Sequence, residues 1–217
     1  MDDVTRFREA LVTWAAHGPG ADEAAARARE LADGVRAVVL VEGDSDLAAL
    51  EALAGRRGRD LRAEGVVIVP LGGATNIGHF LDVCGPPGLG LPLAGLYDIA
   101  EERHFRRHLE RVGLAEAETD TGLDTLGFHV CVADLEDELI RALGPDGVKE
   151  VIEAQGEARP FRTFVNQPAQ RERPVEHQLR RFLGTHSGRK AQYAQALVDH
   201  LDLERVPRPL ERLLAHV

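Results

Sequence analysis

The sequence has few cysteines, no long apolar run and no excess of positive charge. Its two cysteines, Cys84 and Cys131, lack a CxxC pattern or a His/Cys cluster, which argues against disulfides and zinc and predicts buried free thiols. The apolar runs fall far short of the ~20 residues that span a bilayer. The first thirty residues are acidic and polar, unlike a signal peptide. We therefore expect a cytoplasmic protein that does not insert into membranes.

The charge balance is acidic, with a formal net charge of −10 at pH 7. Taken alone, this argues against a high-affinity, sequence-blind nucleic-acid binder, because neutralising phosphates needs clustered Lys and Arg. It does not exclude a nuclease, since carboxylates that surround a divalent cation count fully in the formal charge. Local basic clusters do occur, at residues 56–59, 103–111 and 171–190.

The chain of 217 residues is long enough for one main domain with its own core. Four segments are apolar throughout and predict strands, at residues 35–41, 65–71, 93–98 and 128–132. Helices are predicted at 4–16, 22–31, 45–55 or 45–58, 76–83, 101–113, 135–143, 148–154, 174–183, 188–201 and 209–216. Apolar strands that alternate with helices are typical of a parallel α/β sheet covered on both faces.

Acidic residues follow three of the four predicted strands. They are Glu42, Asp44 and Asp46 after the first strand, Asp98, Glu101 and Glu102 after the third, and Asp134, Glu136 and Asp137 after the fourth. Any one cluster is explained by capping of the next helix, with Asp44 or Ser45 as the cap of the first. Three clusters at the carboxyl edge of one sheet instead indicate a cation site, because close like charges repel. Hard oxygen ligands suit Mg²⁺ or Mn²⁺.

Four motifs, in this order, give the chain a family resemblance. EGDSD at 42–46 follows a strand, GGATN at 72–76 follows the next, and DLEDEL at 134–139 and KA at 190–191 come later. The set resembles the TOPRIM domain of topoisomerases, bacterial primases, recombination mediators and OLD-family (overcoming lysogenization defect) nucleases, and is most similar to the OLD type. The resemblance implies a Rossmann-like TOPRIM core at 35–144, with a mainly parallel four-stranded sheet between helices. N-terminal helices at 1–34 and a C-terminal helical extension at 145–217, packed on the core, complete the expected organisation.

The resemblance also implies site residues. The implied catalytic residues are Glu42 and Lys190, and the implied ligands of one or two Mg²⁺ or Mn²⁺ ions are Glu42, Asp46, Asp98, Asp134 and Glu136. For Asp46 the resemblance also allows a role behind the ligands, one helical turn after Glu42. In a two-metal mechanism, two cations about 4 Å apart activate a water and stabilise the leaving oxygen. A lysine places positive charge where the transition state gathers negative charge.

Two features depart from the family pattern. The third-strand DxD motif reads Asp98-Ile99-Ala100, so its second aspartate is an alanine. Glu101 or Glu102 is a substitute ligand only from a different angle, which puts one metal site in doubt. The sequence also lacks the GxxxxGK[ST] phosphate loop of the ATPase that accompanies OLD nucleases, so a free-standing domain with a separate ATPase chain is expected.

Other features admit two interpretations each. Gly72 and Gly73, with Asn76, either bind phosphate or form a plain tight turn. The helix at 104–113 either tracks a DNA backbone or is a solvated face. The segment 170–190, with Arg180, Arg181 and Arg189, either binds a nucleic-acid strand or packs as an amphipathic helix. His79, His129 and His186 have no partner at metal-ligand spacing.

The sequence leaves three functions open. The first is a metal-dependent nuclease that cuts or nicks DNA, with RNA as the other substrate class. The second is a TOPRIM module that has lost cleavage and works with a separate ATPase or DNA-repair protein. The third, nucleotidyl transfer, shares the metal site, but the sequence shows nothing like the template-binding apparatus of a primase.

Overall fold

The structure, a computed structural model, describes residues 2–115, 122–185 and 189–217. Its centre is a sheet of four strands, all parallel, in the order β2-β1-β3-β4. The strands are β1 (Ala37–Val41), β2 (Val66–Pro70), β3 (Leu93–Asp98) and β4 (Phe128–Cys131). This confirms the predicted parallel α/β fold. The strands are apolar on both sides, and such strands need helices on both faces of the sheet.

Ten α-helices lie in the described residues. They are α1 (Asp3–Ala15), α2 (Ala21–Leu31), α3 (Asp44–Arg56), α4 (Ile77–Cys84), α5 (Glu102–Arg111), α6 (Leu135–Ala154), α7 (Ala158–Val165), α8 (Val175–Leu183), α9 (Arg189–His200) and α10 (Arg208–His216). No helix among the described residues combines the length and apolar character that a membrane crossing requires.

The two faces of the sheet carry separate apolar cores. Val39 and Val41 of β1 point to one core, which also receives buried side chains from α3, α6, α8, α9 and α10. Val38 and Leu40 point to the other, which includes Phe7 of α1 and side chains of α4 and α5. This alternation follows from the two-residue period of a strand. As a result α8 and α9, from the C-terminal part of the chain, lie on the same face as α3 and α6.

The structure differs from the predicted helices in one place. The helices predicted at 135–143 and 148–154 are the two helical stretches of α6, separated at Gly144, where φ is 74° and ψ is 160° and the backbone is not helical. Glycine adopts this positive φ without strain, and Pro145 then suits the start of a new helical stretch. Helix α7 was not predicted, because a short segment with a proline near its start gives a weak helical pattern. The division at 34 and 144 stays a prediction.

The prediction that both cysteines are buried free thiols is confirmed. Cys84 and Cys131 are free and buried. Burial raises the pKa of the Cys84 thiol to about 12 and also raises that of Cys131. Phe7 is fully buried, and the Trp14 ring packs under the guanidinium of Arg29, 4.8 Å from the ring centroid. Phe7 and Cys84 therefore belong to one core, the partly buried Trp14 packs against it, and Cys131 is buried as well.

Candidate active site

The carboxyl ends of the strands and the start of α6 surround one cavity of about 550 Å³. Eight of the predicted site residues line it: Glu42, Asp46, Gly72, Gly73, Asp98, Asp134, Glu136 and Lys190. In a parallel sheet the strands end at the same edge, so residues far apart in sequence meet there. The structure thus brings together the acids that the sequence places after three different strands.

The turn between β1 and α3 is held by Asp46. Its Oδ2 accepts a hydrogen bond of 2.8 Å from the Gly43 N–H, and the residue is 8% exposed. The helix cap predicted from Asp44 or Ser45 is therefore supplied by Asp46, because a carboxylate at the third helical position can reach back to the N-cap N–H. Asp46 orients the loop that carries Glu42, whose own side chain is exposed.

The acids of the β1 and β3 ends hold protons more tightly than ordinary carboxyls. Burial raises the pKa of Asp46 to about 7, although the Gly43 N–H opposes the shift. Burial, followed by the charges of Glu42 and Asp134, raises the pKa of Asp98 to about 7. The pKa of Glu42 is also raised, first by loss of solvent. These shifts come first from loss of solvent, and repulsion among the neighbouring carboxylates adds to them.

The glycine turn after β2 is tied to the Glu42 loop. The Gly73 N–H donates to the Glu42 carbonyl oxygen at 3.2 Å. Gly72 and Gly73 have φ values of 69° and 121°, which other residues rarely adopt. Asn76 Nδ2 donates to the Leu71 carbonyl oxygen at 2.9 Å, so its amide stabilises the turn and does not line the cavity. Phosphate binding by Gly72, Gly73 and Asn76 stays a prediction.

The acids near α6 face basic side chains. Asp134 caps the helix, with its Oδ1 accepting from the Asp137 N–H at 2.8 Å, while its Oδ2 accepts from Arg180 Nε at 2.7 Å. Glu136 is 6% exposed, and its Oε1 lies 3.3 Å from Lys190 Nζ. That oxygen has no hydrogen bond in the structure. The contact of Arg180 with Asp134 was missed by sequence reasoning, because 46 positions separate the two residues.

Residues after Asp98 do not complete the site. Ala100 is exposed in a short 3₁₀ turn, Ile99–Glu101. Glu102, the predicted substitute ligand, forms an ion pair of 3.3 Å with Arg106 and lines a different cavity, which also contains Tyr97. After burial, the charge of Glu101 also contributes to the raised pKa of Glu42, whereas Glu102 has no such effect.

A second cavity of about 700 Å³ adjoins the first and shares Asp134, Glu136 and Lys190 with it. Arg180 and Arg181 both line this second cavity, together with Arg173 and His177. Arg189 does not, because its guanidinium donates to Glu157 Oε1 at 2.7 Å and lies 5.0 Å from the centroid of the Phe182 ring. A basic recess thus continues from the acidic cavity.

His79 and His129, two of the three histidines without a ligand-spaced partner in sequence, line neither of these two cavities. His79 is exposed, with its ring 5.2 Å from that of His17. His129 is buried on β4, and burial lowers its pKa to about 4. His186 lies outside the described residues.

The side chains of the cavity carry the oxygen donors that a hard divalent cation prefers, but they stand farther apart than the ligands of a bound ion. In the described ranges, no three His, Cys, Asp or Glu side chains stand close enough to hold a metal ion. The available donors are carboxylate oxygens, which Mg²⁺ and Mn²⁺ prefer, and one of them is the buried Glu136 Oε1 without a hydrogen bond. Mutual repulsion keeps ionised carboxylates apart, so a cation is expected to draw them together.

Comparisons with known proteins agree with this architecture. Residues 35–99 match the family "Overcoming lysogenization defect protein-like, TOPRIM domain". No curated protein sequence matches the chain. Among solved structures, the C-terminal region of the Burkholderia pseudomallei OLD protein is similar, with 22% identity and a TM-score of 0.62, over 84% of this chain and 96% of that one.

The C-terminal region of the Xanthomonas campestris pv. campestris OLD protein is also similar. In one structure of it the identity is 26% and the TM-score 0.62, over 84% of this chain and 92% of that one. The match therefore extends past the TOPRIM core into the C-terminal helices. The family match at 35–99, the strand order and these structural similarities show that the chain carries an OLD-like TOPRIM domain.

Proposed function

We propose that this chain is a Mg²⁺- or Mn²⁺-dependent nuclease that cuts or nicks DNA by hydrolysing phosphodiester bonds. The observation that supports it most is the convergence of carboxylates from the ends of β1, β3 and β4, with Lys190, on one cavity. Like charges gathered in this way are costly unless a cation or a reacting group makes use of them. The likeness to OLD proteins supports the same reading.

The proposed roles follow from position. Glu42 and Asp98 bind a cation, because their carboxylates line the cavity and form no ion pair with a described Lys or Arg. Asp46 positions Glu42 through the Gly43 N–H. When bound, the cation supplies Lewis-acid activation of water and of the phosphoryl group. Lys190 lines the cavity, 3.3 Å from Glu136 and half exposed, and its charge acts on the scissile phosphate.

The adjoining cavity suits the rest of the strand. Arg181 is exposed on α8, and Arg180 and Arg173 line the same recess. A basic recess beside the acids allows a protein of net charge −10 to bind a polyanion locally. We assign strand binding to Arg180 and Arg181, and a structural role to Arg189 because of its contacts with Glu157 and Phe182.

The test is nicking of supercoiled plasmid by the purified chain with Mg²⁺ or Mn²⁺. Glu42→Gln and Asp98→Asn are expected to abolish nicking, whereas Asp137→Asn is expected to retain it, because Asp137 pairs with Arg141 and does not line the cavity. Nicking that survives both cavity substitutions would contradict the assignment.

A second function has its own support: a DNA-binding module without cleavage, working with a separate ATPase or DNA-repair protein. Ala100 in place of a carboxylate, and the absence of a ready three-ligand cluster in the described residues, favour it. Calorimetry separates the two functions. Measurable Mn²⁺ binding supports the nuclease, while no heat of binding and no nicking with any divalent ion would support the module.

A further inference from the structure

The acids of the cavity divide into two sets according to what faces them. Asp134 and Glu136 each face a side-chain cation, Arg180 and Lys190 respectively. Glu42 and Asp98 form no ion pair with a described residue. Of these four carboxylates, two are ion-paired within the protein and two are not; the other acids that line the cavity are Asp44 and Asp46, and Asp46 accepts the Gly43 N–H.

Arg180 holds Asp134 with more than one contact. Its Nε lies 2.7 Å and its Nη2 2.5 Å from the same oxygen, Asp134 Oδ2, and the side chain of Asp134 is 18% exposed. The other oxygen, Oδ1, accepts the capping hydrogen bond from the Asp137 N–H. Both oxygens of Asp134 are thus occupied, and a metal ion there must displace a guanidinium from a charge-assisted contact.

The end of β3 offers the cavity a single carboxylate. Asp98 lines the cavity, but Ile99, Ala100, Glu101 and Glu102 do not. A second ion beside Asp134 would have to share Asp98 and find its other ligands at Glu136, whose Oε1 faces Lys190. The carboxylates that would bind a second ion, Asp134 and Glu136, are therefore already paired with basic side chains of α8 and α9.

On the basis of the proposed function, we infer that the Arg180 guanidinium takes the place of a second cation, so that the cavity binds one divalent ion at Glu42 and Asp98. Glu136 also lines the cavity, but its Oε1 is buried and lies 3.3 Å from Lys190 Nζ. Arg180 is then a positioning residue for Asp134 and a fixed positive charge next to the strand recess.

The inference is tested by counting Mn²⁺ ions bound to the full chain, using calorimetry and electron paramagnetic resonance. The wild type is expected to bind one ion with an uncoupled six-line spectrum. Arg180→Met frees Asp134 while keeping its helix cap, and is expected to bind a second ion, giving an exchange-coupled spectrum because paired ions lie about 4 Å apart. Arg181→Met, which removes an arginine of the same recess without touching Asp134, is expected to bind one.

Each other outcome has a definite meaning. Two ions in the wild type, or the same number in wild type and Arg180→Met, would overturn the inference while leaving metal-dependent cleavage intact. No ion in any of these proteins, each folded by circular dichroism, would overturn the proposed nuclease as well. The count does not depend on activity, so the two failures are distinguishable.

Discussion

The cavity has two sides that carry the same chemical groups in different surroundings. On the side formed by β1 and β3, Glu42 and Asp98 form no ion pair with a described Lys or Arg, and burial raises the pKa of each, although the charge of Lys190 opposes the shift at Glu42. On the side formed by α6, Asp134 faces Arg180 and Glu136 faces Lys190. The role of each carboxylate here therefore depends on whether a basic side chain pairs with it, and not on whether it is Asp or Glu.

The packing of the helices explains the difference. Helices α8 and α9 pack against α6, and they bring Arg180 and Lys190 to that side of the cavity. No element of the described structure carries a basic side chain to ion-pair distance of Glu42 or Asp98. The C-terminal helices thus have two roles. They cover an apolar face of the sheet, and they supply the positive charges, Arg180 and Lys190, that pair with Asp134 and Glu136.

The largest expected effect comes from neutralising the unbalanced side. Asp98→Asn or Glu42→Gln should lower the nicking rate by about 1,000-fold, because losing a cation ligand removes several kcal/mol of transition-state stabilisation. The rate is measured on supercoiled plasmid under single-turnover conditions, with Asp137→Asn as the matched control. A loss of less than about tenfold in both variants would break the comparison between the two sides.

Lys190 tests the balanced side. Lys190→Met should lower the cleavage rate by about 100-fold, because a positive charge near the reacting phosphate is lost. Lys190→Arg, which keeps the charge with a different shape, should recover part of the rate. The Kd for a DNA oligonucleotide, measured with Ca²⁺ in place of Mg²⁺, should stay within about threefold of the wild type. An equal loss in binding and in rate would assign Lys190 to strand binding alone.

The sequence predicts that the acids of both sides meet at one edge of the sheet, but it does not predict which basic side chains pair with them. Apolar segments identify strands, strands that alternate with helices imply a parallel sheet, and a parallel sheet places residues after each strand at one edge. Glu42, Asp98 and Asp134 were found in this way. Each of these steps uses only short stretches of sequence, where local pattern and structure agree.

The partners of the acids depend on tertiary packing. Arg180 reaches Asp134 only because α8 packs on α6, and no spacing rule relates the two positions. Asp46 and Glu102 show the same limit on a smaller scale. Local pattern does not distinguish a carboxylate that caps Gly43 from one that binds a cation, or a Glu102 that turns to Arg106 from one that turns to the cavity.

Stability against pH offers a third test. The pKa of Asp98 is raised from 3.8 to about 7 in the folded state, so the folded protein binds more protons than the unfolded one between these values. Its contribution to stability is present at low pH and is lost as the pH rises through about 7. His129 acts in the opposite sense, because its pKa is lowered from 6.5 to about 4 and its contribution is lost as the pH falls through that window.

A divalent cation should therefore stabilise the protein more at about pH 8, where Asp98 is ionised, than at about pH 6, where protons compete with it. We expect saturating Mn²⁺ to raise the Tm by about 5 °C at the higher pH, which corresponds to about 2 kcal/mol for a chain of this size. Differential scanning fluorimetry measures both values. In Asp98→Asn the rise in Tm caused by Mn²⁺ should differ less between the two pH values. An unchanged difference would show that another group is responsible.

The smallest expected effect separates two arginines that the sequence groups together. Arg181 is exposed in the strand recess, so Arg181→Ala should raise the Kd for DNA a few-fold and reduce the salt slope of binding by about 1, with little change in Tm. Arg189 is held by Glu157 at 2.7 Å and by the Phe182 ring, with only 16% of its side chain exposed. Arg189→Ala should therefore lower the free energy of unfolding by about 1–2 kcal/mol and leave the salt slope unchanged.

Urea unfolding and salt-dependent binding titrations measure the two effects. The opposite assignment, with stability lost in Arg181→Ala and the salt slope reduced in Arg189→Ala, would place the strand along α9 and not in the recess beside Asp134.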